Sequence, residues 1–161
     1  SELMRISLPL GFFGRSSRAT FSTIFRAADL IASRRFWGFG GPAGSAAGAV
    51  AEDRLRRVED WIDAHLAEPI TLGRLCKVAG LEASGLRKSF QQRRGMSPMQ
   101  WVFRRRMAAA RLKLLEPAED DTVIRIAHDC GLIHAGRFSV AYRSRYGESP
   151  SLTLGKAQLT A

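Results

Sequence analysis

The chain has little cysteine, no long apolar run and, over one stretch, no acid. Its 161 residues hold two cysteines, Cys76 and Cys130, with no C-x-x-C spacing. Both sit among apolar residues at helical spacing, so they are expected to be buried free thiols in a reducing cytosol. No run of 18 apolar residues occurs, so no membrane span and no membrane partner are expected. The first five residues, SELMR, lack the charged-then-apolar order of a signal peptide. They also lack an initiator Met, which raises a fragment of a longer protein as one reading. Residues 83–115 contain no Asp or Glu but nine Lys/Arg: Arg87, Lys88, Arg93, Arg94, Arg104, Arg105, Arg106, Arg111 and Lys113. That run reads as an electropositive face suited to phosphates. The whole chain carries net charge +10, which favours a polyanionic partner, while 45% hydrophobic residues exclude wholesale disorder.

What is present is one pattern written twice. Thr71, Leu75, Gly80, Leu86, Phe90, Gly95, Ser97 and Pro98 are matched by Thr122, Ile126, Gly131, Phe138, Tyr142, Gly147, Ser149 and Pro150. The offset is 51 residues through the first glycine and 52 from Leu86 onward, so the second turn holds one inserted residue. Repetition at a fixed offset marks duplicated supersecondary units. Each copy reads as a helix-turn-helix: a Thr-capped helix, a glycine turn, then a second helix closed by G-x-S-P.

Around these units the chain divides into regions. Residues 1–15 mix Pro and Gly with Leu, Ile and Phe, and residues 8–13 read as a short strand and turn. Residues 16–36 read as an apolar helix through Phe21, Ile24, Phe25, Ala28, Leu30 and Ile31, packed in a core or at an interface. Residues 38–49 are Gly/Ala-rich and read as a linker. A phosphate-cradling loop would need a terminal Gly-Lys-Ser/Thr and a preceding strand, and both are missing. Residues 50–67 read as a helix through Leu55, Val58, Trp61 and Ile62, stopped before Pro69. A long helix from Ser97 to about Glu116 joins the two units, with Met99, Val102/Phe103, Met107, Ala110 and Leu114 as its apolar stripe. Residues 151–161 read as a tail.

The run over residues 126–150, IAHDCGLIHAGRFSVAYRSRYGESP, resembles the second helix-turn-helix of the AraC/XylS transcription regulators, and most of all the XylS-like branch. The first unit and the linking helix through Arg106, Arg111 and Leu114 also match, so the resemblance covers about residues 50–154. It implies an all-α, seven-helix DNA-binding domain with two helix-turn-helix units joined by a long central helix. Residues 83–93 and 134–146 would be recognition helices, entering successive major-groove segments about one turn (~34 Å) apart. The expected region boundaries are 1–37 for a partial N-terminal effector or dimerisation region, 38–49 for the linker, 50–154 for the DNA-binding domain and 155–161 for the tail.

Carried across by position, Ser84, Arg87, Lys88 and Gln91 of the first recognition helix would meet bases. Ala135, Gly136, Arg137, Ser139 and Val140 would do so from the second. Arginine suits guanine, and small apolar side chains suit a thymine methyl. Thr71, Ser97, Arg104, Arg105, Thr122, Arg143 and Ser149 would meet phosphates. Three features depart from the family pattern: Glu82 replaces a Ser N-cap, Gly85 interrupts the first recognition helix, and Ala135, Gly136 and Val140 leave the second with few hydrogen-bonding side chains.

The resemblance implies a sequence-specific regulator of transcription, cytoplasmic and associated with the bacterial nucleoid. Its partners would be double-stranded DNA, RNA polymerase if it is an activator, and a second chain if residues 16–36 mediate dimerisation. Residues 1–37 are too few for a ligand barrel, so no intact small-molecule site is expected. The competing reading is a truncated, non-regulatory module that pairs with related regulators or binds DNA without specificity. No cofactor, metal or enzymatic activity is expected: His128, Cys130 and His134 are split by the Gly131 break and lack a fourth ligand, where zinc favours a complete tetrahedral set.

Overall fold

The computed structural model describes residues 46–160. Seven helices and no strand are found among the described residues: α1 (Ala46–Ala64), α2 (Leu72–Ala79), α3 (Ala83–Arg94), α4 (Pro98–Leu115), α5 (Val123–Asp129), α6 (Ala135–Tyr146) and α7 (Pro150–Thr160). The all-α class and the two duplicated units agree with the sequence reading. The N-terminal region over 1–37, its apolar helix over 16–36, and most of the linker lie outside the described residues.

Local chemistry sets the helix ends. Thr71 and Thr122 stand at N-caps with extended backbone, and their hydroxyls accept from the amides of Arg74 and Arg125 at 3.3 and 3.2 Å. Ser97 and Gln100 form a reciprocal capping box with Pro98 in the first turn of α4. Glu82 and His134, at the N-caps of α3 and α6, make no side-chain capping bond. α3 and α6 are therefore held by packing more than by their caps.

Two boundaries differ from expectation. α1 begins at Ala46, inside the stretch read as linker, and ends at Ala64 rather than near residue 67. Alanine is the best helix former, and over residues 46–49 Ala46, Ala47 and Ala49 outweigh the single Gly48. The expected tail is also helical to Thr160. Ser149 accepts from the Leu152 amide at 3.2 Å, Thr153 and Leu154 are buried, and α7 packs on α4, α5 and α6. Burial of two side chains one turn past the cap supplied a partner surface that the sequence pattern did not reveal.

α4 lies between the units. It packs on α1, α2 and α3 and also on α5 and α7. The first core gathers Leu55, Val58 and Ile62 of α1 with Ile70, Leu75, Ala79, Leu86, Phe90, Trp101 and Val102. Each large apolar side chain sealed this way contributes about 1.5–3 kcal/mol. In the second unit Ile126, Ala127, Phe138, Tyr142 and Leu154 are buried, along with Met107, Ala110 and Leu114 of α4. Of the six residues of the expected stripe on α4, Val102, Met107, Ala110 and Leu114 are thus covered and two are not. Met99 and Phe103 remain 40% and 42% exposed.

Candidate nucleic-acid interface

In each unit a pair of buried residues four apart fixes how the second helix is rotated. Leu86 and Phe90 turn inward on α3, and Phe138 and Tyr142 on α6. Helical geometry then sends the intervening positions outward. On α3, Ser84, Arg87, Lys88 and Gln91 are all exposed. On α6, Ala135, Gly136 and Arg137 are exposed, and Val140 is 73% exposed. Ser139 is half-buried, and its hydroxyl donates to the Ala135 carbonyl at 3.0 Å. The structure brings these sequence-selected residues onto the outer faces of the two helices.

The residues expected at phosphates are placed less uniformly. Thr71 and Thr122 are exposed, with hydroxyl oxygens used as caps and the O–H free to donate outward. Ser97 and Ser149 are half-buried in their caps, and Arg143 is exposed. Arg104 is half-buried, with its guanidinium 5.8 Å from the Trp101 ring centroid and that of Arg94 at 6.0 Å.

Arg105 does not belong to this set. It is 5% exposed and grips Asp63 of α1 through two bonds, Nε to Oδ1 at 2.7 Å and Nη2 to Oδ2 at 2.5 Å. A guanidinium committed to a buried carboxylate is out of reach of a DNA backbone.

The same correction applies to much of the basic run over 83–115. Arg94 bonds Glu59 and Glu52, and Arg93 also reaches Glu52 at 3.2 Å. Burial raises the Glu52 carboxyl, but bonding and charge from Arg94, joined by Arg93, bring it below its usual range. At Glu59 burial prevails and pushes the carboxyl up, while its bond to Arg94 opposes the rise. Arg111 lies 3.7 Å from Glu148 and 4.3 Å from the Tyr146 ring centroid, and Lys113 is 3.6 Å from Asp129. The acids that match these bases come from α1 and from beyond α4, so a one-sign run in the sequence becomes a paired network in space. The side chains of Arg87 and Lys88 stand apart, with no ion pair or hydrogen bond to the described residues.

One residue of the linking helix has a role that its place in the sequence did not disclose. Arg106 donates to three main-chain carbonyls: Leu66 at 3.0 Å, Glu68 at 2.6 Å and Gly131 at 2.9 Å. Two acceptors lie before α2 and one lies in the turn before α6. Burial holds its pKa below the ordinary arginine value. Main-chain acceptors leave no mark in side-chain patterns, so only its place in the linking-helix motif pointed to Arg106.

Among the described residues no group of three or more His, Cys, Asp or Glu side chains converges. His128 and His134 are exposed, and Cys130 is buried with its thiol pushed up to about 11 by that burial. Among the described residues no helix is long and apolar enough to cross a membrane.

Comparison with known proteins agrees with this geometry. Residues 75–156 match the model of a helix-turn-helix domain. The XylDLEGF operon transcriptional activator 3 of Pseudomonas putida is 34% identical over 106 residues, which make up 65% of this chain and 32% of the relative. The chain thus spans about a third of the length of this curated relative. A probable AraC family transcriptional regulator from Rhodopseudomonas palustris CGA009 superposes with a TM-score of 0.61 at 38% identity, over 65% of this chain and 97% of that one. The DNA-binding domain of AdpA, solved in complex with a target DNA, shares the fold with a TM-score of 0.59 at 23% identity, over 66% of this chain and 95% of its own. With the duplicated units, the linking helix and these matches together, the chain belongs to the AraC/XylS family of helix-turn-helix transcription regulators.

Proposed function

We propose that this chain binds double-stranded DNA sequence-specifically and regulates transcription, with α3 and α6 in successive major-groove segments. The observation that carries the reading is the pair of outward helix faces held on one linking helix, each presenting an exposed arginine, Arg87 on α3 and Arg137 on α6. Its relatives include an operon activator and a domain solved on its target DNA, which supports the same use here.

In this reading Arg87, Lys88, Gln91 and Ser84 read bases from α3. Arg137 reads a base from α6, while Val140, Ala135 and Gly136 meet thymine methyls and Ser139 lies beside them. Thr71, Thr122, Ser97, Ser149, Arg104 and Arg143 hold phosphates and set the register. A binding protein of this kind needs no cofactor, works at the nucleoid in the cytoplasm, and meets RNA polymerase if it activates. Residues 16–36 are the candidate segment for pairing with a second chain.

The test is selection of bound duplexes from a random pool, then titration of the winner against a scrambled duplex at fixed salt. Two enriched motifs one helical turn apart, with a preference of ~10³ or more over the scrambled duplex, are expected. Binding to every duplex alike, with a steep salt dependence, would replace the reading with non-specific phosphate binding.

A further inference from the structure

Arg106 occupies a place where main chain from both units converges. Its guanidinium takes the carbonyls of Leu66 and Glu68, which lead into α2, and the carbonyl of Gly131, three residues before the N-cap of α6. The seam around it has no slack. Gly131 adopts φ 73°, and a Cβ there would lie 2.5 Å from the Leu66 oxygen and 2.7 Å from Arg106 Cζ. The turn ahead of α6 therefore rests directly on the turn ahead of α2, with one guanidinium bonded to both. Flexible side chains transmit position loosely. Carbonyls of two turns held by one planar donor fix the turns themselves, because the donor directions of a guanidinium are rigid.

We propose that Arg106 is a positioning residue that sets the distance and phase between the two recognition helices, and so sets the half-site spacing the protein accepts. The inference rests on the DNA-binding reading above. Arg106 need not touch DNA to act in this way. By fixing α6 relative to the first unit, it prepays the ordering that simultaneous contact with two half-sites requires. Without it each helix would still read its own half-site, but the penalty for wrong spacing would fall.

The experiment uses the full chain and the duplex selected above, in four forms: native spacing, one inserted base pair, two inserted base pairs, and a single half-site beside random sequence. Wild type, Arg106→Lys and Arg106→Gln are compared by titration, with thermal melting run alongside to confirm folding. For wild type, insertion should weaken binding by ~100-fold or more, since one motif is lost or the two helices are forced apart. For Arg106→Gln, affinity for the native spacing should fall by ~10-fold, and the native-to-inserted ratio should shrink to below ~5-fold. Single half-site affinity should stay within ~2-fold of wild type, and Arg106→Lys should fall between the two. A merely structural role would weaken all four duplexes in parallel and leave the spacing ratio intact, which would overturn the proposal. If wild type itself shows no two-motif preference, it is the DNA-reading proposal that fails, and the two failures are told apart by the wild-type titration alone.

Discussion

Arg105 of α4 and Asp63 of α1, 42 positions apart, form a two-point ion pair at 2.7 and 2.5 Å, with side chains 6% and 10% exposed. The pair ties the linking helix to the first helix of the domain. It also withdraws from the surface a charge that the sequence placed among the phosphate-binding candidates.

Breaking that pair should be costly, and replacing it should not. Asp63→Ala removes both bonds that Asp63 makes to the buried guanidinium and is expected to cost about 3–5 kcal/mol of unfolding free energy. A double replacement, Asp63→Leu with Arg105→Met, should recover most of that loss. Urea denaturation measures both. The double variant should also keep the wild-type salt slope of DNA binding; a slope lowered by one unit would return Arg105 to the DNA backbone.

The exposed arginines should behave differently. Arg87→Ala and Arg137→Ala are each expected to cost about 1–3 kcal/mol on the selected site and to relax base preference at one position. Stability should hardly change, because neither side chain has an ion pair or hydrogen bond to the described residues. Equal losses on selected and scrambled duplexes would assign them to phosphates instead.

Gly131 and Gly147 make a controlled comparison, since both sit at positive φ, 73° and 78°. Alanine at Gly147 meets nothing within 4 Å and should cost only the left-handed backbone term, about 1–2 kcal/mol. Alanine at Gly131 must also push against the Leu66 carbonyl and Arg106, so its cost should exceed that of Gly147→Ala by at least ~1 kcal/mol. Equal melting temperatures for the two variants would mean that the close approach is not constraining.

Cys130 should be inert to alkylation in the native state. It is 2% exposed, and its thiol is pushed to about 11 from an ordinary 9.0, which lowers the thiolate fraction by ~100-fold. Iodoacetamide at neutral pH should modify the half-buried Cys76 first and reach Cys130 only after unfolding. Peptide mass spectrometry decides it; equal labelling of both thiols would contradict the burial.

Glu148 should carry a small acid-dependent contribution. Bonds from Lys156 and Thr153 hold its carboxyl below the usual 4.5. A lowered folded value means that its stabilisation is complete above the ordinary carboxylate value and is lost as pH falls through the folded one. The gap in melting temperature between wild type and Glu148→Gln should therefore be largest near neutral pH and narrow as pH falls below the ordinary carboxylate value. A gap that does not change with pH would remove the charge from the explanation.

By itself the sequence determined the class of fold, the duplicated unit, and the rotation of α3 and α6. Each of these rests on local rules. Thr71, Thr122 and Ser97 cap their helices through bonds reaching three residues. The pairs Leu86/Phe90 and Phe138/Tyr142 orient a helix face through spacing alone. Other features were decided only by the tertiary structure, because they depend on partners remote in the chain. Arg94 and Arg105 look like neighbours on one basic face, yet acids on α1 claim both. Met99 and Phe103 look like core, yet both stay exposed once the chain has folded. Arg106 looks like one more surface cation, yet its acceptors are carbonyls 40, 38 and 25 positions away. Periodicity and capping act within a turn or two of helix, whereas charge pairing and main-chain bonding across a seam exist only once the two units have been brought together on α4.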